Sequence, residues 1–86
     1  MNINQLISKV KSKIEKNISL EYINIEDKTF LHKSHKTHLD GKFHLKLIIK
    51  SSEKKKINKI ELTKKIYKIL DEELKKYIHS IQILIN

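Results

Sequence analysis

The chain has no cysteine, no proline, no tryptophan and no arginine, and it has a single glycine. Each absence removes a class of structure or chemistry. Without cysteine this chain supplies no disulfide, no thiol nucleophile and no zinc–cysteine site. Without proline, nothing interrupts a helix or bars a strand from pairing. All nineteen basic residues are lysine, so there is no planar guanidinium fork for bidentate contacts to guanine or phosphate. With Gly41 as the lone glycine, no glycine-rich phosphate loop can form. Long apolar runs are missing too, which excludes a membrane-spanning helix. The opening segment MNINQLISKVKSKIEK lacks the apolar core of a secretory signal. Cytoplasmic residence is the expectation, with no membrane partner.

What is present bounds the rest. Eighty-six residues make one small domain, 1–86, with a single core and no room for a deep enclosed active site. The formal charge of +9 admits two readings. One is a polyanionic partner; the other is solubility in a chain saturated with Ile, Lys and Asn, as an AT-rich coding bias produces. No serine–histidine–acid set, nucleophile with an oxyanion site, or carboxylate pair flanking a cleft can be picked out. The expectation is a protein that is not an enzyme.

Residues 3 to 16 place Ile3, Leu6, Ile7, Val10 and Ile14 on one helical stripe. Asn2 is positioned as an N-cap, Lys13 and Lys16 complement the far end of the helix dipole, and Asn17 ends it. From 18 to 26 the alternation Ile18, Leu20, Tyr22 shifts phase to Ile23, Ile25, which predicts a strand with a bulge near Tyr22 and Ile23. Residues 27 to 42 are polar and aperiodic, a loop long enough to carry function, ending in the turn pair Asp40-Gly41. Phe43, Leu45, Leu47 and Ile49 then alternate with His44, Lys46, Ile48 and Lys50 as a strand with one buried face. After a solvated connector, Leu62, Ile66, Ile69, Leu70, Leu74 and Tyr77 predict one helix from about Asn58. Its polar side is expected to set Asp71, Glu72 and Glu73 against Lys75 and Lys76. Ile81, Ile83 and Ile85 close with a third strand. Helix-strand-strand-helix-strand is solved economically as an α+β fold, a three-stranded mixed sheet with the helices on one face.

Four of the five histidines lie between Asp27 and Ile49. His32, His35 and His38 recur every third residue in the predicted loop, and imidazoles so placed can converge on a metal. Otherwise they are three solvated side chains. His44 and His79 are read as structural. Asp27 and Thr29 are read as turn residues tying the loop base through local bonds, and Tyr67 as packing beside the core stripe. Lys64, Lys65 and Lys68 form a basic helix surface.

Several short elements taken in order resemble the BolA family. Asp27-Lys28-Thr29-Phe30-Leu31-His32 is similar to its Asp-Glu-Ser-x-x-His element, and Phe43-His44-Leu45-Lys46-Leu47 to its strand start. Ile66-Tyr67-Lys68-Ile69-Leu70-Asp71-Glu72-Glu73-Leu74 resembles its second long helix, and Ile78-His79-Ser80-Ile81-Gln82-Ile83 its closing segment. The resemblance implies an α+β fold related to the KH module, although the KH Gly-x-x-Gly clamp is missing. It also implies an adaptor or regulator that partners a monothiol glutaredoxin in iron–sulfur cluster assembly, trafficking or iron sensing. Such a pair shares a [2Fe-2S] cluster with glutathione; the chain alone, a monomer, would bind none. The family's loop ligand carries over to His32. Its helix ligand, the histidine of Arg-His-Arg, falls on Thr63, which leaves His35 or His38 as a replacement or a partnership without cluster bridging. Thr63, Lys64, Lys65 and Lys68 would be the partner-binding surface. The alternative is a small nucleic-acid-binding transcriptional regulator that sets helix lysines against phosphate.

Overall fold

A computed structural model describes residues 1–29, 42–52 and 56–86. Helix α1 (Ile3–Asn17) leads into strand β1 (Leu20–Asp27), and β2 (Phe43–Ser51) follows. Helices α2 (Lys59–Ile69) and α3 (Asp71–Lys76) then deliver the chain to β3 (Ile78–Ile85). The sheet order is β1-β2-β3, with β1 antiparallel and β3 parallel to the central strand. This is the predicted α+β arrangement with a mixed sheet. Among the described residues no helix is long and apolar enough to cross a membrane.

The ends of α1 follow from side-chain chemistry. Asn2 accepts from the Gln5 backbone N–H (2.8 Å), and Gln5 Oε1 accepts from the Asn2 N–H (3.0 Å). This reciprocal pair satisfies two donors that a helix start otherwise leaves open. Asn58 caps α2 by accepting from Glu61 N–H at 2.8 Å. The apolar stripe Leu6, Val10, Ile14 of α1 and the stripe Leu62, Ile66, Leu70 of the second helical segment are fully buried. They meet Leu45, Leu47 and Ile49 of β2, and Ile18, Ile78 and Ile85 complete the cluster. Period 3.6 on the helices and period 2 on the strand thus put these buried side chains on one interface.

Four local expectations are corrected. The bulge in β1 falls at Glu21, between Leu20 and Tyr22, one residue earlier than predicted. The strand correspondingly starts at Leu20, because Ile18 serves as the C-cap of α1 and turns into the core. The second helix is not continuous: Leu70, at φ −95° and ψ 14°, divides it into α2 and α3. Glu73, assigned to the polar side, is 0% exposed. It lies seven residues after Ile66 and three after Leu70, which places it on the apolar stripe rather than opposite it.

A buried carboxylate needs a partner, and α1 supplies it. Lys13 Nζ donates to Glu73 Oε1 at 2.9 Å and lies 2.8 Å from Oε2; Lys9 Nζ lies 3.5 Å from Oε2. Oε2 makes no hydrogen bond of its own and is held by the two ammonium charges alone. Lys13, expected to serve the helix dipole, instead fastens α1 to α3. Asp71 and Glu72 do make the predicted surface pairs with Lys75 (3.0 Å) and Lys76 (3.3 Å).

The hydrogen bond from Lys13 to Glu73 holds the Lys13 ammonium above the ordinary lysine value of 10.5. Its stabilising contribution is therefore complete below pH 10.5 and is lost as the pH rises through the higher folded-state value. Glu73→Gln is expected to cost about 1–3 kcal/mol near neutrality. In urea unfolding measured across pH, the stability gap between wild type and Glu73→Gln should narrow on the alkaline side as Lys13 loses its proton. Leu47→Ala, at the centre of β2, is expected to cost about 2–5 kcal/mol by the same measurement.

Candidate functional site on the outer face of α2

The base of the loop that carries the histidines is built as predicted. Asp27 Oδ1 accepts from the Thr29 N–H (2.9 Å) and from the Thr29 hydroxyl. The same hydroxyl oxygen accepts from the His44 N–H at 3.2 Å, while Lys28 N–H donates to His44 O at 2.7 Å. These bonds join the exit of β1 to the entry of β2. His32, His35 and His38 lie outside the described residues.

His44 and His79 are brought together, which their spacing did not foretell. His44 is buried, its Nδ1 is 2.6 Å from Ser80 Oγ, and its ring meets His79 edge-on at 4.9 Å between centroids. The irregularity in the β2–β3 register between Phe43 and His44 is what leaves His79 beside His44. This matches the structural role expected of His44. His79, however, belongs to β3 and contacts a ring rather than ordering a helix end.

The proposed partner surface lies on α2. Thr63 is half-buried, and its hydroxyl donates to Lys59 O at 2.7 Å. That back-bond occupies the hydroxyl proton, and a threonine oxygen is in any case a poor iron ligand beside imidazole. The helix position therefore does not fit a cluster ligand. Among the described residues no group of three His, Cys, Asp or Glu side chains converges as a metal site. Lys64 is exposed, 4.0 Å from Glu61. Lys65 is half-buried and Lys68 is exposed in the last turn.

Beside Thr63 and Lys64 lies a shallow, largely apolar hollow of about 300 Å³, lined by Lys59, Ile60, Thr63, Lys64 and Tyr67. Ile60 is 68% exposed and Tyr67 43%. Tyr67 was expected to pack; it is instead an open ring whose hydroxyl lies 3.4 Å from Ile81 O. Ile60 was not singled out from the sequence at all. A signal for it exists: Ile60 stands two residues before Leu62 and six before Ile66, so it points about 120° away from the centre of the buried stripe. Tyr67 follows Ile60 by seven residues and returns to nearly the same side. The outer face of α2 is thus an apolar pair ringed by lysines.

Comparison with known proteins agrees with this architecture. The family model described as BolA-like protein matches residues 14–86. A relative from Haemophilus influenzae, named DNA-binding transcriptional regulator BolA, is 32% identical over 83 residues, covering 96% of this chain and 75% of the relative. Among solved structures, BolA1 from Arabidopsis thaliana has a TM-score of 0.77 at 26% identity, covering 92% of this chain and 87% of that one. The BolA domain of SufE1 from Arabidopsis thaliana, at 24% identity, shares the fold with a TM-score of 0.79, covering 100% and 93% of the two chains. With the family model spanning most of the chain and the element order and mixed sheet in agreement, this protein belongs to the BolA-like family.

Proposed function

We propose that this chain is a BolA-type adaptor that binds a monothiol glutaredoxin through the outer face of α2 and serves iron–sulfur cluster trafficking or iron sensing. The observation that carries the reading is the hollow at Ile60 and Tyr67, in a member of this family, next to the helix position where the family places its functional histidine. Exposed apolar side chains at the centre of a polar rim are what a protein contact uses. Lys59, Thr63 and Lys64 form the rim, and Lys65 and Lys68 lie further along the same helix. Protein contact and cluster ligation separate in this chain, because Thr63 offers no imidazole. His32 and His35 are its candidate ligands for iron, and the glutaredoxin cysteine and glutathione would supply the remainder.

The test is to add the protein to a cluster-loaded monothiol glutaredoxin with glutathione and follow visible circular dichroism. The expected result is a changed cluster spectrum that is lost in His32→Ala or His35→Ala. Ile60→Asp should weaken the complex at least about tenfold while leaving the thermal midpoint of the free chain unchanged, because Ile60 packs against nothing in the core. Complex formation with an unchanged spectrum would leave the protein contact and remove the ligand assignment. Absence of any complex would overturn the reading.

A second reading rests on the relative named as a DNA-binding transcriptional regulator. Here the α2 lysines would contact phosphate. The chain would then bind duplex DNA with an affinity that falls steeply with salt, each neutralised phosphate adding about −0.9 to the slope of log K against log salt. His32→Ala would leave that binding intact, whereas Lys64→Gln with Lys68→Gln would weaken it and flatten the slope. A salt titration of binding to a labelled duplex separates the two readings.

A further inference from the structure

The two edges of the sheet are built differently. Edge strand β1 carries Glu21, Glu26 and Asp27 and is bent by a bulge at Glu21. Charges and bulges are the usual means of keeping a free edge from pairing with another chain. The other edge, β3, has the sequence IHSIQILI over eight residues. It contains no lysine, aspartate or glutamate in a chain of which 34% is charged, and its one irregularity lies at its start. It is an edge without these safeguards.

The direction of its free hydrogen-bonding groups can be read off. Asn86 N–H donates to Ile49 O of β2. By the two-residue alternation of a strand, the even positions of β3 face β2, and the peptide groups of Ile81, Ile83 and Ile85 face outward. Ile81 O is indeed met from outside the sheet by the Tyr67 hydroxyl, at 3.4 Å. Among the described residues this long contact is the one hydrogen bond made by the outward groups of these three residues. Tyr67 also lines the hollow on α2, so the edge and the hollow adjoin. Leu84, 37% exposed, lies on the opposite, helix-free face of the sheet.

We infer that the outward edge of β3 is a strand-docking site for an extended, alternating apolar segment flanked by carboxylates, supplied by an acidic partner protein. The segment adds as a fourth strand on the backbone groups of Ile81, Ile83 and Ile85. Side chains on its one face enter the hollow at Ile60 and Tyr67, and those on its other face lie against Leu84. Its flanking carboxylates meet Lys59, Lys64 and Lys68. Charge selects this occupant over a second copy of the chain, because two copies would each bring a formal charge of +9 to the contact. The incoming N–H replaces Tyr67 at Ile81 O, a modest exchange given the length of that bond. The segment would share the hollow at Ile60 and Tyr67 with the glutaredoxin contact proposed above; the inference rests on the β3 edge rather than on that reading, and its test contains neither glutaredoxin nor iron.

The probe is a synthetic nine-residue peptide of alternating valine and threonine with two glutamates at each end, titrated into the full chain. Residue-resolved amide exchange of the wild type is expected to show about tenfold or greater protection at Ile81, Ile83 and Ile85 at saturation. Amides of β1 should be unchanged, and binding should weaken as sodium chloride rises. Ile83→Pro removes an outward N–H and no ladder bond, and should abolish binding while keeping the wild-type far-ultraviolet circular dichroism. Tyr67→Phe keeps the ring and removes the competing hydroxyl, so its affinity should equal or exceed that of the wild type. Should Ile83→Pro not fold, the wild-type exchange pattern decides alone. No binding, or protection confined to α2 or β1, overturns the inference. So does protection of the three amides that grows with protein concentration without peptide, which would give the edge to a second copy.

Discussion

Burial of one face of β2 is the constraint on which the rest of the molecule depends. This strand bonds to both of the others, and its inward side chains Leu45, Leu47 and Ile49 sit beneath α1 and the second helical segment. Because its side chains alternate strictly, fixing the inward set also fixes His44, Lys46, Ile48 and Lys50 on the other face. The antiparallel neighbour can arrive through a loop, whereas the parallel one needs a crossover, and α2 with α3 is that crossover. The surface on α2 is therefore outward because the opposite side of the helix is claimed by the core.

Much of this was legible from side-chain periodicity. The elements, their order, the mixed sheet and the caps at Asn2 and the Asp27–Thr29 turn follow from local chemistry that one sequence displays. The errors arose where a long-range contact overrides a local rule. Glu73 reads as surface because it follows Asp71 and Glu72; only the position of α1, bringing Lys13 and Lys9 across, makes its burial affordable. The division of the helix at Leu70 carries no proline or glycine to announce it. Ile60 was overlooked for the opposite reason. Attention to the core stripe discards an apolar residue that points elsewhere, although such a residue is the better indicator of a contact surface.

The candidate site was legible in part. Thr63, Lys64, Lys65 and Lys68 lie along one helix, as spacing requires, yet none of them is the apolar centre. Spacing could not have disclosed the bond between Tyr67 and Ile81, since it joins a helix to the middle of a strand. Nor could it have disclosed the approach of His44 and His79, which arises from an irregularity in strand register. Family resemblance singles out the start of α2, and the distribution of exposed apolar and charged side chains indicates what that region can hold.

The clasp between Lys13 and Glu73 has a consequence for handling the protein chemically. Nineteen lysines offer nineteen amines to acylating dyes and cross-linkers, but they are not equivalent. Lys13 is kept protonated by its carboxylate neighbour, so it holds less of the nucleophilic free base than an unpaired surface lysine and reacts late. When it does react, Glu73 is left buried with Lys9 at 3.5 Å as its remaining counter-charge. Light labelling thus reports on the folded surface, while exhaustive labelling reaches the amine that ties α1 to α3 and perturbs the packing it was meant to report on.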